Sequence, residues 1–270
     1  MFRIGDIVGR RSYGGDIPFE IIEIKKDIEG KKIYVLRGVF FRIEADSYEN
    51  DLIRLDIKSV YINRQRKIMD AHRHMLRNIG ETDVHLLNRA KTRPGKILHI
   101  DSSSEFADIC ARHYRSEGIP YVTKVIKESE QPYAIKKLLM AYRPDILIIT
   151  GHDGIKKDAA DIKSIDSYRN SKYYIESAKI ARELVPDYDE LCIFAGACQS
   201  YYEEIMKSGA NFASSPGRIL IHCLDPAIVC ERVALTSNTK YVIPEQAIRL
   251  TQSGSKGIGG IKTKGHLTII

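Results

Sequence analysis

From residue 96 onward, short apolar runs alternate with stretches whose apolar residues recur at steps of three and four. Residues 96–101 predict a strand, and the serines at 102–104 supply a helix cap. Phe106, Ile109, Cys110 and His113 then share one helical face, which Gly118 ends. Residues 119–126 predict a second strand, and Pro132 opens a helix carrying Ile135, Leu138, Leu139 and Tyr142. Residues 145–150 and 191–195 predict two further strands, separated by a polar loop and a helix over about 168–184. A helix at 201–208, a strand at 211–214, helices near 225–234 and 244–251 and a strand at 267–270 complete the pattern. Repeated strand–helix units of this length imply an α/β fold with a parallel, doubly wound sheet.

The first part of the chain has a different rhythm. Five short strands separated by Gly-containing turns, including one over 39–43, predict a small SH3-like β-barrel over 1–56. Residues 57–94 show no strand alternation. Ile62, Ile68, Met69, His72, Met75, Leu76 and Ile79 fall at helical steps, Gly80 ends that helix, and a second segment runs to Arg93. The expected domains are therefore a barrel (1–56), a helical linker (57–94) and an α/β domain (95–270).

Composition narrows the class. The chain has 270 residues and is 43% apolar, enough for a proper core. No run approaches the ~20 apolar residues of a membrane span, and the start of the chain predicts no secretory signal. Five cysteines, an odd number with no CxxC pair, imply free thiols in a reducing compartment and a cytoplasmic location. The net charge of +7 concentrates in residues 58–93, with 9 basic and 3 acidic residues. Such a stretch attracts nucleic acid or an acidic partner, although a solvated basic linker needs no partner. An adaptor binding nucleic acid or a protein through barrel and linker is thus the alternative to an enzyme. His72, His74 and His85 have no carboxylate or thiolate at metal-site spacing, read as surface residues, and imply no metal.

The chemistry sits at two strand ends. One apolar run stops at Gly151-His152-Asp153-Gly154, the other at Gly196-Ala197-Cys198. Ligands of open parallel sheets bind beyond the carboxyl ends of the strands, so one crossover brings an imidazole and a thiol together. A histidine can take the thiol proton and return it to a leaving amine. The expected catalytic residues are His152 and Cys198, with oxyanion stabilisation from backbone groups near Asp153, Gly154 and Cys198. Asp153 is either the orienter of His152 or a solvated loop residue. This chemistry requires no cofactor.

The stretches RPDILIITGHDG, FAGACQS, GANFASSP and GIGGIKTKG, with IGDIVGRRSY and EADS, resemble the YabG sporulation-specific proteases of spore-forming bacteria. More distantly, the two runs resemble the caspase–gingipain–clostripain clan. The resemblance implies a caspase-like αβα sandwich and a cysteine endopeptidase, with Cys198 and His152 at the positions of the family's cysteine and histidine. It implies protein substrates, namely spore-coat or cortex-lytic precursors, processed in the mother cell or at the coat. It places the pocket for the residue before the cut at Asp101 and Gly196, with Asp101 selecting arginine. Arginines at 64–66 and 89–93 are then expected sites of self-cleavage in the linker.

Overall fold

The computed structural model describes residues 1–78, 92–157 and 159–270. The readings at Gly80, His85 and Arg89, and most of the second linker segment, lie outside them. Strands β1 (Ile7–Arg10), β2 (Phe19–Lys26), β3 (Lys32–Gly38), β4 (Glu44–Tyr48) and β5 (Leu52–Arg54) form an antiparallel sheet in the order β4-β3-β2-β1-β5. Alternation supplies its buried face: Phe19 and Ile21 of β2 face Tyr34 and Leu36 of β3, and Val8, Ala45 and Leu52 join them.

One expected strand is absent. Residues 39–43 bulge out of the sheet, and the fourth strand begins only at Glu44. The excursion closes where the Gly38 N–H donates to the Ile43 carbonyl at 2.8 Å. A Cβ on Gly38 would collide with the Phe41 carbonyl oxygen and the Ile43 side chain, so the turn needs glycine. Val39, Phe40 and Ile43 are buried and Phe41 is half-buried, and Phe41 and Ile43 bridge to His222 and Asp153 rather than to a barrel strand.

Helix α1 (Ile57–Asn78) follows. It is packed rather than free, with Val60, Ala71 and Met75 buried. His72 is half-buried, its Nε2 3.3 Å from His113 Nδ1, which corrects the reading of a surface histidine. Arg64 is buried and ion-paired with Glu105, so the 64–66 arginines lie on a docked helix. A peptidase cleft takes extended chain, and helical backbone there is not presented for cutting.

The second unit contains β6 (Thr92–Arg93), β7 (Ile97–Asp101), α2 (Ser104–Ser116), β8 (Tyr121–Val125), α3 (Gln131–Tyr142) and β9 (Ile146–Ile149). It continues through α4 (Ser171–Leu184), β10 (Cys192–Ala195), α5 (Tyr202–Lys207), β11 (Phe212–Ser214), α6 (Asp225–Leu235), β12 (Tyr241–Val242) and α7 (Pro244–Ile248). It closes with α8 (Gly254–Gly257), β13 (Ile258–Gly260), β14 (Thr263–Lys264) and β15 (Thr268–Ile269). A six-stranded sheet runs β13-β11-β10-β9-β7-β8, parallel except for β13. This is the mixed α/β, largely parallel architecture expected from the strand–helix rhythm. Ile146 and Ile148 of β9 join one core with Phe106, Ile109 and the α6 residues; Leu147 and Ile149 join the other with Ile135, Tyr174 and Ile205. Helices thus cover both faces, leaving the carboxyl ends of β7, β9 and β10 side by side along one edge.

Candidate active site

Asp101 ends β7, His152 follows β9 and Cys198 follows β10, so all three reach the same edge of the sheet. The His152 loop is pinned from several sides. Its N–H donates to Glu128 Oε1 at 2.7 Å, and its carbonyl accepts from Asn170 Nδ2 at 2.8 Å and Tyr174 Oη at 3.0 Å. The ring stacks on Phe106, with centroids 5.5 Å apart. Phe106 is placed there by the cap of α2, where Ser103 Oγ accepts the Phe106 N–H at 3.3 Å. Ring Nδ1 lies 3.3 Å from Ser102 Oγ and 3.8 Å from Glu128 Oε1, and Ser102 donates to Glu128. Gly151 is required by this crowding, since a Cβ would come within 2.6 Å of Glu128 Oε1 and 2.8 Å of the Tyr174 hydroxyl.

Burial holds the His152 imidazole below its ordinary value, with Glu128 pulling the other way. Burial alone would raise the Glu128 carboxyl; the hydrogen bond and charge of His152, with Ser102, instead carry it down to about 2. At neutral pH the site therefore holds an ionised Glu128 beside a neutral imidazole able to accept a proton.

Asp153 does not orient His152. Its carboxylate accepts from Gly154 N–H at 2.9 Å, Asn170 N–H at 2.8 Å, Ser171 Oγ at 2.5 Å and Ser200 Oγ at 2.8 Å. Ser200 Oγ also accepts the Ala197 N–H at 2.9 Å, so Asp153 ties the histidine loop to the cysteine loop. Cys198 is fully buried. Its sulfur accepts the Ile221 N–H at 3.3 Å. Burial pushes this thiol up to about 12, against the lowering effect of the Ile221 N–H and the Arg42 charge. With the cleft in this state, Cys198 is a thiol.

The excursion at 39–43 reaches the same strand ends. Arg42 is completely enclosed and reaches across to Asp101, with which it forms an ion pair. Its Nη2 donates to the Cys223 carbonyl at 3.2 Å, and its guanidinium lies 4.9 Å from the Phe106 ring centroid. Asp101 also accepts from Thr150 Oγ1 and the Ser103 N–H, each at 2.8 Å. Burial would raise the Asp101 carboxyl, but Arg42, His99 and the Ser103 N–H hold it well below the usual carboxylate range. The Arg42 carbonyl accepts from two backbone N–H groups, Cys198 at 3.2 Å and Asp153 at 3.1 Å. It is the N–H of Asp153, not that of Gly154, that shares this carbonyl with Cys198. Gly154 contributes by its lack of a Cβ, which would overlap the Glu44 carbonyl oxygen. Gly196 takes φ +109 and packs against Ile205, Ser214 and Ser200, and none of these three belongs to the set of groups holding Arg42.

Two residues of this site went unmarked in the sequence. Glu128 lies just past the carboxyl end of β8, where the rule that selected His152 also points. Arg42 is a lone cation inside an apolar run, and its signal was a charge in a segment read as barrel strand.

A family model described as YabG peptidase U57 matches residues 3–269. Fold and match together define an α/β peptidase. A protein of Bacillus subtilis (strain 168) described as sporulation-specific protease YabG is 36% identical over 283 residues, covering 99% of this chain and 97% of that one. The chain belongs to the YabG family of sporulation proteases. No solved structure matches it. Among the described residues, no helix is long and apolar enough to cross a membrane.

Proposed function

We propose that this chain is a cysteine endopeptidase that cuts after arginine and acts during sporulation on spore-coat or cortex-lytic precursor proteins in the mother cell. Cys198 is the nucleophile. His152 takes the thiol proton as the sulfur attacks and returns it to the departing amine. The N–H groups of Cys198 and Asp153 hold the tetrahedral oxyanion. Glu128 positions His152 through its backbone N–H and its Nδ1 side, leaving Nε2 to exchange protons with the thiol. Asp101 accepts the guanidinium of the residue before the cut.

The observation that carries this reading is the Arg42 contact set. Its guanidinium lies against Asp101 while its carbonyl accepts from Cys198 and Asp153 N–H groups. One arginine thus connects the specificity residue to the proposed oxyanion donors. The test is an arginyl chloromethyl ketone peptide with the active enzyme. It should alkylate Cys198 selectively, and Cys198→Ala should lower kcat/KM by about a thousandfold or more. Asp101→Asn should reduce the preference for arginine over neutral peptides on the order of a hundredfold, the loss expected when one partner of a buried pair is neutralised. Uniform labelling of all five cysteines, with peptide hydrolysis unchanged in Cys198→Ala, would sink the assignment.

A further inference from the structure

A cavity of about 1130 Å³ opens where the N-terminal sheet meets the α/β unit. The whole of β4 lines it, with Arg10 and Tyr13 from the same sheet and Ile155, Gln199 and Leu220 from the α/β unit. Gln199 follows Cys198, and its Oε1 accepts the Ile155 N–H at 3.2 Å, so the cavity adjoins the catalytic loops. β4 is an edge strand, with β3 on its inner flank. Bonding to β3 alternates along it. The Gly38 N–H donates to the Ile43 carbonyl, so Ala45 and Ser47 turn their backbone groups to β3, and Glu44 and Asp46 turn theirs outward. Glu44 spends its outward N–H on the Asp153 carbonyl at 2.8 Å. The outward N–H and carbonyl of Asp46 have no hydrogen-bond partner among the described residues. An open edge beside a cavity is where an extended peptide adds as a further strand.

The charges say what that peptide carries. The cavity's carboxylates are already engaged. Asp46 pairs with Arg169, and Glu44 lies 3.7 Å from Arg37 and 3.8 Å from Arg169. Asp51 accepts the Ser12 N–H at 2.7 Å and the Ser12 hydroxyl at 2.8 Å. Arg10 is different. Its Nε is buried without a hydrogen-bond partner, and among the described residues no carboxylate ion-pairs with it; its guanidinium lies 4.1 Å from the Tyr13 ring centroid. A buried donor on a charged group is costly while it lacks an acceptor, and an incoming carboxylate would supply one.

We infer that this cavity is a substrate-docking subsite, in which an extended stretch of the protein substrate adds to the edge of β4 and sets an acidic side chain on Arg10. The inference rests on the peptidase reading above. Arg42 marks the place of the substrate's arginine at Asp101, and the residues after it, Ile43 and Glu44, run on into the cavity wall. The docked stretch is therefore the one that follows the cut. The N-terminal sheet thus reads the substrate a few residues beyond the bond that Cys198 attacks.

The experiment measures hydrolysis of three peptides that share one arginine and differ in the tail after it: alternating Glu and Thr, Gln and Thr, or Lys and Thr. The Glu tail should exceed the Gln tail in kcat/KM by about tenfold, mainly through KM, as one charge-assisted contact supplies. Arg10→Gln should erase that preference, Arg10→Lys should keep part of it, and Arg10→Glu should turn it toward the Lys tail. That reversal cannot come from a damaged fold. N-methylation of a tail amide that faces β4 should raise KM by a similar factor, because it removes a donor to the added strand. Equal rates on the three tails overturn the inference and leave the peptidase reading standing. A preference seen only when the acidic residues precede the arginine, or an Arg10→Gln loss equal on all tails, overturns it too. No hydrolysis of any of the peptides, with Cys198 unlabelled by the arginyl chloromethyl ketone, overturns both.

Discussion

Glu128 touches His152 at two places, the backbone N–H and the Nδ1 side of the ring, and these contacts have separable consequences. Its charge favours the imidazolium, so Glu128→Gln should lower kcat with KM nearly kept. It should also move the acid limb of the kcat/KM profile to lower pH, because a support for the protonated ring has been removed. A residue that only held the loop would leave the limb in place. His222 makes a second test. Burial, with Lys67, His72 and Arg42 as neighbouring positive groups, pushes its imidazole down to about 4, and its Nδ1 accepts the Leu224 N–H at 3.3 Å. The unfolded chain, with histidine near 6.5, binds this proton more readily. His222 therefore leaves stability intact above about 6.5 and removes it as pH falls toward about 4, by roughly 3 kcal/mol in full. Urea titrations of the Cys198→Ala chain at stepped pH should show that loss, and His222→Gln should flatten it. In the sequence, His152 and Cys198 stood out because a glycine halted an apolar run beside each. Glu128 did not, since its role depends on a crossover that brings β8 to the same edge and on Ser102 arriving from β7.

At the scale of elements, the strand–helix rhythm after residue 96 was legible because each buried strand is apolar on both faces and each helix carries a single apolar stripe. The segment 39–43 was not. Its bulky residues read as strand, and nothing local signals that the burial partner is the histidine loop more than 100 residues away in sequence. Helix α1 was legible as a helix but not as a docked one; Arg64 pairing with Glu105 and His72 meeting His113 both need the tertiary arrangement. If α1 is part of the fold, Met75→Ala should cost about 2–5 kcal/mol, as for other core methionines. Chemical denaturation measures this directly. A change under ~0.5 kcal/mol would instead mean a helix that only connects two bodies.

For the whole molecule, the N-terminal and α/β units are held together by the 39–43 excursion and by the pairing of Arg169, between β9 and α4, with Asp46 of β4. Cys198 is fully buried with its sulfur set against the Ile221 backbone, and this burial is why the thiol is so weakly acidic. Iodoacetamide at neutral pH should therefore alkylate Cys198 much more slowly in the folded chain than in the urea-unfolded one, as a buried thiol with its pKa pushed up to about 12 requires.

The N-terminal sheet straddles that excursion. Strands β1–β3 precede it and β4 and β5 follow it, yet β3 pairs with β4 from Ile33 to Arg37 and β1 with β5 from Val8 to Arg10. Those ladders moor both ends of the excursion, so Arg42 cannot be drawn away from Asp101 without straining the sheet. A protein substrate seeking those same groups would compete with a resident loop tied down at both ends, and the slackening of that loop would set how soon the enzyme turns to it.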